Sequence, residues 1–203
     1  MANFVTRETL PVIIQFETPL LGTVPDPEVY SKYIQDKARE LSQSDKDAEL
    51  ETVQDVEEKG WTRFHRDEKG LFIYSYMVKG FLKSALESLM ATGTIAKIPA
   101  YKKWMDKLVF VESRKLYFNV KESDGVIERP LRVTTPQGPR VTLARSDSMN
   151  RGFELKFTIV ILKNSKKIDM ETMKQCLGYG QYVGIGQWRG SGGYGQFTWK
   201  EDK

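Results

Sequence analysis

The alternation of apolar and polar residues predicts strands near both ends of the chain. The first is LPVIIQFET, residues 10–18, a β-branched run that ends at the turn residues of PLLGTVPDPE. The segment GFELKFTIVIL, residues 152–162, has apolar residues at every second position. One of its faces is therefore expected to be buried, with Glu154, Lys156 and Thr158 on the other. The segment FTW predicts a short closing strand.

Helical spacing of apolar residues marks other segments. Asp26 followed by Pro27 is typical of a helix start and predicts a helix that runs to about Leu41. MVKGFLKSALESLMA, residues 77–91, repeats its apolar residues at intervals of three and four. PAYKKWMDK predicts one more short helix, and Asp169 is placed to cap a final helix, DMETMKQCLG.

Between these helices the chain is a succession of strand candidates. WTRFHRDEKGLFIYSY predicts a hairpin around residues 67–70, which places His65 beside its turn. KLVFVE, RKLYFNV, IERPLRVTT and PRVTLARS follow, separated by turn residues. This order predicts an α+β fold, mainly an antiparallel sheet with helices on one face. We expect residues 1–203 to form a single domain with an exposed acidic insertion at about 42–60.

Charge is distributed unevenly along a chain whose formal net charge is +4. Residues 26–58 hold eleven acids and four bases, whereas residues 97–151 hold twelve bases and six acids. A basic middle favours an anionic partner. No apolar run approaches the roughly 18 residues of a membrane-spanning helix, and the N-terminus does not resemble a signal peptide. We therefore expect a cytoplasmic protein without a membrane partner.

The scarcity of cysteine and histidine limits the possible chemistry. Cys176 is the only cysteine and His65 the only histidine, which excludes an intramolecular disulfide and a structural zinc site. We expect Cys176 to lie in the core, and we expect neither a metal nor a cofactor. A protein that is not an enzyme is favoured; a nuclease dependent on His65 is the catalytic alternative.

The segment GYGQYVGIGQWRGSGGYGQF, residues 178–197, holds eight of the sixteen glycines. Clustered glycines let a partner's backbone come close, and aromatic rings between them can stack on bases. Trp188 with Arg189 can supply a stacking surface and a phosphate clamp. Neither the P-loop motif nor the dinucleotide-binding fingerprint is present. The alternative is a tight turn packed against the sheet, with the aromatic residues in the core.

Arginines are interleaved with the strand residues of the basic middle. Because side chains alternate along a strand, Arg140 and Arg145 are expected on opposite faces, so the arginines cannot all line one groove. They predict either a stripe that follows a phosphate backbone or a solvated surface with scattered ion pairs. The residues concerned are Arg129, Arg132, Arg140, Arg145 and Arg151.

Two resemblances add to this picture. LLGTVPDPEVYSKYI, YMVKGFLKSALESL, ERPLRVTTPQGPRVTLARS and YGQYVGIGQWRGSGGYGQF together resemble a set of uncharacterised proteins encoded by tailed bacteriophages and prophages. From about Tyr76 onward the chain also resembles the RAMP superfamily, the repeat-associated proteins that include backbone subunits of CRISPR effector complexes. That resemblance implies a ferredoxin-like, RRM-like core that binds RNA, with a basic helix start and a glycine-rich loop near the C-terminus.

The leading hypothesis is a non-enzymatic, phage-encoded RAMP-like protein in the cytoplasm of an infected or lysogenic bacterium. It would bind single-stranded RNA or DNA, with RNA slightly favoured, and assemble along it as a ring or filament. The alternative is a phage factor that blocks or mimics a host CRISPR-type defence complex, or a virion component. The residues expected to hold nucleic acid are Lys79, Lys83, Arg129, Arg132, Arg140, Arg145, Gly184, Gly186, Trp188, Arg189, Gly193 and Tyr194.

Overall fold

The computed structural model describes residues 5–25, 61–135, 138–164, 166 and 168–202. The helix predicted over 27–41 and the acidic insertion predicted over 42–60 lie outside the described residues. The helices are α1 (Ser75–Ala91), α2 (Tyr101–Leu108) and α3 (Met170–Gly178). The strands are β1 (Arg7–Phe16), β2 (Leu20–Leu21), β3 (Val24–Pro25), β4 (Thr62–Arg63), β5 (His65–Asp67), β6 (Gly70–Tyr74), β7 (Val109–Val111), β8 (Lys115–Tyr117), β9 (Gly125–Thr135), β10 (Gly138–Met149), β11 (Glu154–Leu162) and β12 (Phe197–Glu201).

An antiparallel sheet with strand order β12-β1-β11-β7 forms the centre of the protein. Along the chain these strands alternate with two helices as β1, α1, β7, β11, α3 and β12. Numbered by that sequence, the strands lie in the order 4-1-3-2, which is the βαββαβ arrangement of the ferredoxin-like fold. The prediction of an α+β fold with a mainly antiparallel sheet is confirmed.

The core lies between this sheet and the helices on one of its faces. The predicted alternation in β11 is confirmed, since Leu155, Phe157, Ile159 and Ile161 are all buried. The side chains of β1 alternate in the same way. The helical residues that pack into this core are Val78, Phe81, Leu82, Ala85 and Leu86 of α1, and Met173, Cys176 and Leu177 of α3. The prediction that Cys176 belongs to the core is also confirmed.

The ends of the helices confirm one prediction and correct another. The side-chain Oδ1 of Asp169 accepts a hydrogen bond from the backbone N–H of Thr172 at 2.9 Å, which confirms the predicted cap. Helix α1 begins at Ser75, directly after β6. Lys79 and Lys83 therefore lie one and two turns inside α1 and not at its start.

Two smaller sheets complete the fold. Strands β9 and β10 form a long antiparallel ribbon in which Gly125 is opposite Ser148 and Thr135 is opposite Gly138. The far end of β10 also pairs with β2 and β4. Strands β5, β6 and β8 form a three-stranded antiparallel sheet and confirm the predicted hairpin at residues 67–70. None of the described helices is long and apolar enough to cross a membrane.

Candidate nucleic-acid interface

The glycine-rich segment connects α3 to β12; its two ends are hydrogen-bonded to each other, and one of them to the connection between β1 and β2. The backbone N–H of Ile185 donates to Gly195 O at 2.9 Å, and the N–H of Gly195 donates to Pro19 O at 2.9 Å. A Cβ atom on Gly195 would overlap the Ile185 carbonyl oxygen, and one on Gly184 would lie 2.5 Å from the Gly195 carbonyl carbon. These two glycines let two backbone stretches approach more closely than any side chain permits.

The glycines further along divide into packed and open positions. A Cβ atom on Gly186 would lie 2.8 Å from Leu20 Cδ1. Gly190 and Gly193 have φ angles of 70° and 73°, yet a Cβ atom on either would meet nothing within 4 Å. Their conformations serve the turn itself and not close packing. We call residues 187–194 the loop tip, to distinguish them from the anchored glycines on either side.

The loop tip holds Trp188 at the surface. Its backbone is in the left-handed region, with φ of 56°, and the residue is 38% exposed. For a residue other than glycine this conformation costs roughly 1–2 kcal/mol. Arg189, the next residue, is exposed. The segment therefore presents a large aromatic ring and a cation side by side.

Arg129 of β9 lies beneath Trp188. Its guanidinium carbon is 4.7 Å from the centre of the Trp188 ring and 5.6 Å from the centre of the Tyr194 ring, both within the range of cation–π contacts. Only 6% of Arg129 is exposed. The structure thus brings three of the predicted site residues together, and it places Arg129 as a buried support of the loop tip instead of a surface contact.

Uncharged polar groups surround the inner end of Arg129. Its Nη2 donates to Ser146 Oγ at 2.6 Å. The hydroxyl oxygens of Ser146 and Thr62 are 2.7 Å apart, and Thr62 Oγ1 donates to Gln187 Oε1 at 2.9 Å. This chain of contacts links β9, β10, β4 and the loop tip, and it fixes the start of the tip at Gln187.

The charge on Arg129 has no ionic partner among the described residues. The Nε and Nη1 atoms are buried and make no hydrogen bond there. The pKa of Arg129 is lowered by burial, and the nearby Tyr194 offsets only part of that effect. A buried charge without a counter-charge costs several kcal/mol. A bound anion would therefore compensate the buried positive charge of Arg129.

The other arginines of the ribbon do not join this cluster. Arg145 pairs opposite Glu128, so alternation puts Arg145 and Arg132 on one face of the ribbon and Arg129 on the other. The Nε of Arg145 lies 2.8 Å from Glu128 Oε1, an ion pair, and Arg132 is exposed. Arg140 is opposite Val133 in the backbone pairing, and its side chain lies outside what is described.

Lys79 and Lys83 are engaged with an acid of α2. Their Nζ atoms lie 3.6 and 2.7 Å from Asp106 Oδ1. Burial lowers the pKa of Lys79, and the hydrogen bond from Lys83 lowers the pKa of Asp106. Lys79 Nζ also lies 5.1 Å from the centre of the Phe110 ring. These contacts support the packing of α1 against α2, and among the described residues none joins the two lysines to the loop tip.

An aromatic cluster on the outer side of the three-stranded sheet was not predicted. His65, Phe72 and Tyr117 stand side by side across β5, β6 and β8, with ring centres 5.4 and 5.5 Å apart. Tyr74 stacks on Tyr76, which is 64% exposed. The signal was present in the alternation of LFIYSY: Leu71 and Ile73 lie in the core, and Phe72, also buried, points with Tyr74 to the other face of β6.

The surroundings of His65, the residue of the catalytic alternative, are aromatic and basic. His65 lies among aromatic rings, and burial together with Lys115 lowers its pKa. Within the described residues, no group of three or more His, Cys, Asp or Glu side chains is placed to hold a metal ion. The loop tip and Arg129 combine a left-handed tryptophan with a buried guanidinium that has no ionic partner among the described residues.

Comparison with known proteins gives a limited result. No protein-family model matches the chain, and no curated protein matches it. Among solved structures, the chain is similar to a chain of a structure described as the cryo-EM structure of the Type III-B Cmr-beta bound to cognate target RNA. The identity is 12% and the TM-score 0.48, with 97% of this chain covered. The match covers 59% of that chain, so this protein spans less than two thirds of its length.

Fold and site together define a ferredoxin-like α+β protein with a glycine-rich loop between its last helix and last strand. The assignment rests on the chain's own strand order and on the positions of α1 and α3. This is also the arrangement that the RAMP resemblance implies. The resemblance to phage proteins stays a prediction.

Proposed function

We propose that this protein binds single-stranded nucleic acid, RNA ahead of DNA, at the loop tip, and that it does so without catalysing a reaction. The observation that carries the proposal is the state of the Trp188 ring. It rests on the Arg129 guanidinium, is 38% exposed, and belongs to a residue held in a left-handed backbone conformation. Strain of this kind concentrates at sites of contact and function.

The chemistry of the loop tip suits a strand with unpaired bases. A base stacked on an aromatic side chain contributes roughly 1–3 kcal/mol and does so with little regard to sequence. Arg189 is exposed next to the ring, where it would meet the phosphates that flank a stacked base. Binding would therefore combine stacking with a salt-dependent electrostatic attraction.

Assembly along the strand is a further part of this proposal. It is motivated by the opposite charges of residues 26–58 and 97–151, which would attract each other between neighbouring copies. A head-to-tail contact of that kind produces rings or filaments. Light scattering after size-exclusion chromatography, with and without a single strand, tests this part. A monomer at every concentration in both conditions would remove it.

Fluorescence anisotropy with labelled single-stranded RNA, matching DNA and the corresponding duplex tests binding itself. We expect both single strands to bind at about 50 mM salt, and the duplex to bind more weakly because its bases already stack on each other. Failure of both single strands to bind would contradict the proposal. The alternative of a protein-binding phage factor would then be tested with purified defence complexes.

A further inference from the structure

We propose that Arg129 is the receptor for one phosphate group, which reaches the guanidinium when the loop tip moves off it. The proposal rests on the proposed function for the source of that phosphate, the backbone of a bound strand. A free phosphate ion offers the same oxygens and the same charge. The two sources are separated by the experiment below.

The hydrogen-bonding state of Arg129 is the first argument. A guanidinium carries five N–H groups, and here one of them, on Nη2, donates to Ser146 Oγ at 2.6 Å. The Nε and Nη1 atoms are buried and make no hydrogen bond among the described residues, although Arg129 is only 6% exposed. Unused donors remain on both edges of the planar group, which suits the several oxygens of a phosphate.

The missing counter-charge is the second argument. The chain pairs other arginines with carboxylates: Arg145 Nε lies 2.8 Å from Glu128 Oε1, and Arg66 Nη2 lies 2.7 Å from Glu122 Oε2. The groups that contact Arg129 are instead the uncharged hydroxyl of Ser146, itself hydrogen-bonded to Gln187, and the rings of Trp188 and Tyr194. An anion is thus the chemical class that this site lacks, and phosphate matches guanidinium geometry.

The part of the loop tip that lies over Arg129 is held by few contacts. Trp188 and Tyr194 lie over the guanidinium, and the hydrogen bond between them, from Tyr194 N to Trp188 O, is long at 3.4 Å. A Cβ atom on Gly190 or Gly193 would meet nothing within 4 Å, so the tip is loosely packed at these positions. The N–H of Gly190 donates to Val183 O at 2.8 Å, a contact within the glycine-rich segment and not with the core. The anchored glycines Gly184 and Gly195 hold the base of the segment. The tip can therefore shift without disturbing the core.

Thermal unfolding with rising inorganic phosphate, at constant ionic strength, tests the receptor directly. We expect the Tm of the wild type to rise with phosphate, because an ion that binds the folded state stabilises it. The Arg66→Met variant, which removes an exposed and paired arginine, should respond like the wild type. Arg129→Met should show no response, and its Tm without phosphate should equal or exceed that of the wild type, since an unpaired buried charge has been removed.

A second arm measures the affinity of single-stranded RNA. We expect Arg129→Met to bind RNA at least tenfold more weakly than the wild type, and Arg129→Lys, which keeps the charge without the fork, to lie between them. If RNA binds the wild type and Arg129→Met equally, while Trp188→Ala loses affinity, Arg129 does not bind a phosphate of the strand. The proposed function would then still hold. If phosphate raises the Tm but RNA does not bind, the receptor stands, free phosphate is its source, and the proposed function is wrong.

One set of melting temperatures would refute the proposal that Arg129 binds phosphate. If phosphate leaves the wild-type Tm unchanged and both Arg129→Met and Arg129→Lys melt well below the wild type, Arg129 serves only to support the fold. Arg129→Lys keeps the test decisive should Arg129→Met fail to fold. Loss of the phosphate response in a folded Arg129→Lys protein, with the response kept in Arg66→Met, would support the receptor.

Discussion

The guanidinium carbon of Arg129 lies 4.7 Å from the centre of the Trp188 ring, so a buried strand residue supports an exposed loop residue. Such a contact contributes roughly 0.5–2 kcal/mol, depending on how far water is excluded. That is comparable to the cost of the left-handed backbone at Trp188. Before a ligand binds, the pair thereby holds one face of the ring inward and leaves the other part of the ring exposed.

Replacing Trp188 by alanine should weaken the binding of single-stranded RNA. The loss of one stacking surface is worth about 1–3 kcal/mol, which corresponds to a decrease of roughly 5- to 150-fold. Tyr182→Ala is the matched control, since Tyr182 is 63% exposed in the same glycine-rich segment but lies outside the loop tip. Anisotropy titrations of both variants check the prediction. Equal affinities for the two variants would refute the role of Trp188.

Alanine at Gly195 and at Gly193 should have unequal effects on stability. Both glycines have positive φ angles, of 69° and 73°. At Gly193 the added Cβ atom meets open space, so the cost is the backbone penalty of about 1 kcal/mol. At Gly195 it would overlap the Ile185 carbonyl oxygen and separate two hydrogen-bonded backbones, for a loss of about 3 kcal/mol or more. Urea unfolding measures both, and equal losses would contradict the anchored description.

The substitution Asp106→Asn should lower stability at pH 7, and by a smaller amount at pH 3. The hydrogen bond from Lys83 lowers the pKa of Asp106 from its ordinary value of 3.8. A carboxyl with a lowered pKa in the folded state contributes stability above its unfolded pKa and loses it as the pH falls through the folded one. Because the side chain is 54% exposed, solvent screening limits the difference to about 0.5 kcal/mol.

Unfolding curves of the wild type and Asp106→Asn at the two pH values give the comparison. Their separation should be smaller at pH 3 than at pH 7, because pH 3 lies below the ordinary pKa of 3.8 and part of the contribution is lost there. A separation that is the same at both values would mean that the ion pairs with Lys79 and Lys83 contribute nothing.

Cys176 should resist thiol reagents while the protein is folded. It is fully buried in α3, and burial raises its pKa to about 12, so the reactive thiolate is scarce at pH 8. Labelling with a chromogenic disulfide reagent should be slow in buffer and fast in urea. Rapid labelling of the folded protein would show that α3 opens readily from the sheet.

The helices, strands and turns that were predicted correctly are those marked by a local pattern of residues in the sequence. The alternation through most of β11 and the three-to-four spacing in α1 each reflect a buried face, and the Asp169 cap depends on a contact only three residues away. Turn residues fixed the hairpin at 67–70 in the same way. Such features are local in sequence, which is why composition and spacing suffice to find them.

The electrostatics of the site depend on contacts between distant segments. The sequence around Arg129 predicts an exposed strand residue. In the structure it is buried, because the loop tip, far along the chain, packs over it. Lys79 and Lys83 read as free cations until α2 brings Asp106 against them. Spacing along the sequence carries no information on either contact. The same holds for the outer aromatic cluster, whose rings meet only through the pairing of β6 with β5 and β8.

The most direct test of nucleic-acid binding at the loop tip is its salt dependence in the wild type and in Arg189→Ala. Anisotropy of labelled single-stranded RNA would be measured at about 50 and 200 mM salt, a range over which several phosphate contacts produce a steep loss of affinity. We expect salt-sensitive binding by the wild type, and in Arg189→Ala a weaker affinity with a salt slope shallower by about one contact. Binding that is absent at the lower salt, or identical in the two proteins at both salts, would show that the loop tip does not bind nucleic acid through Arg189.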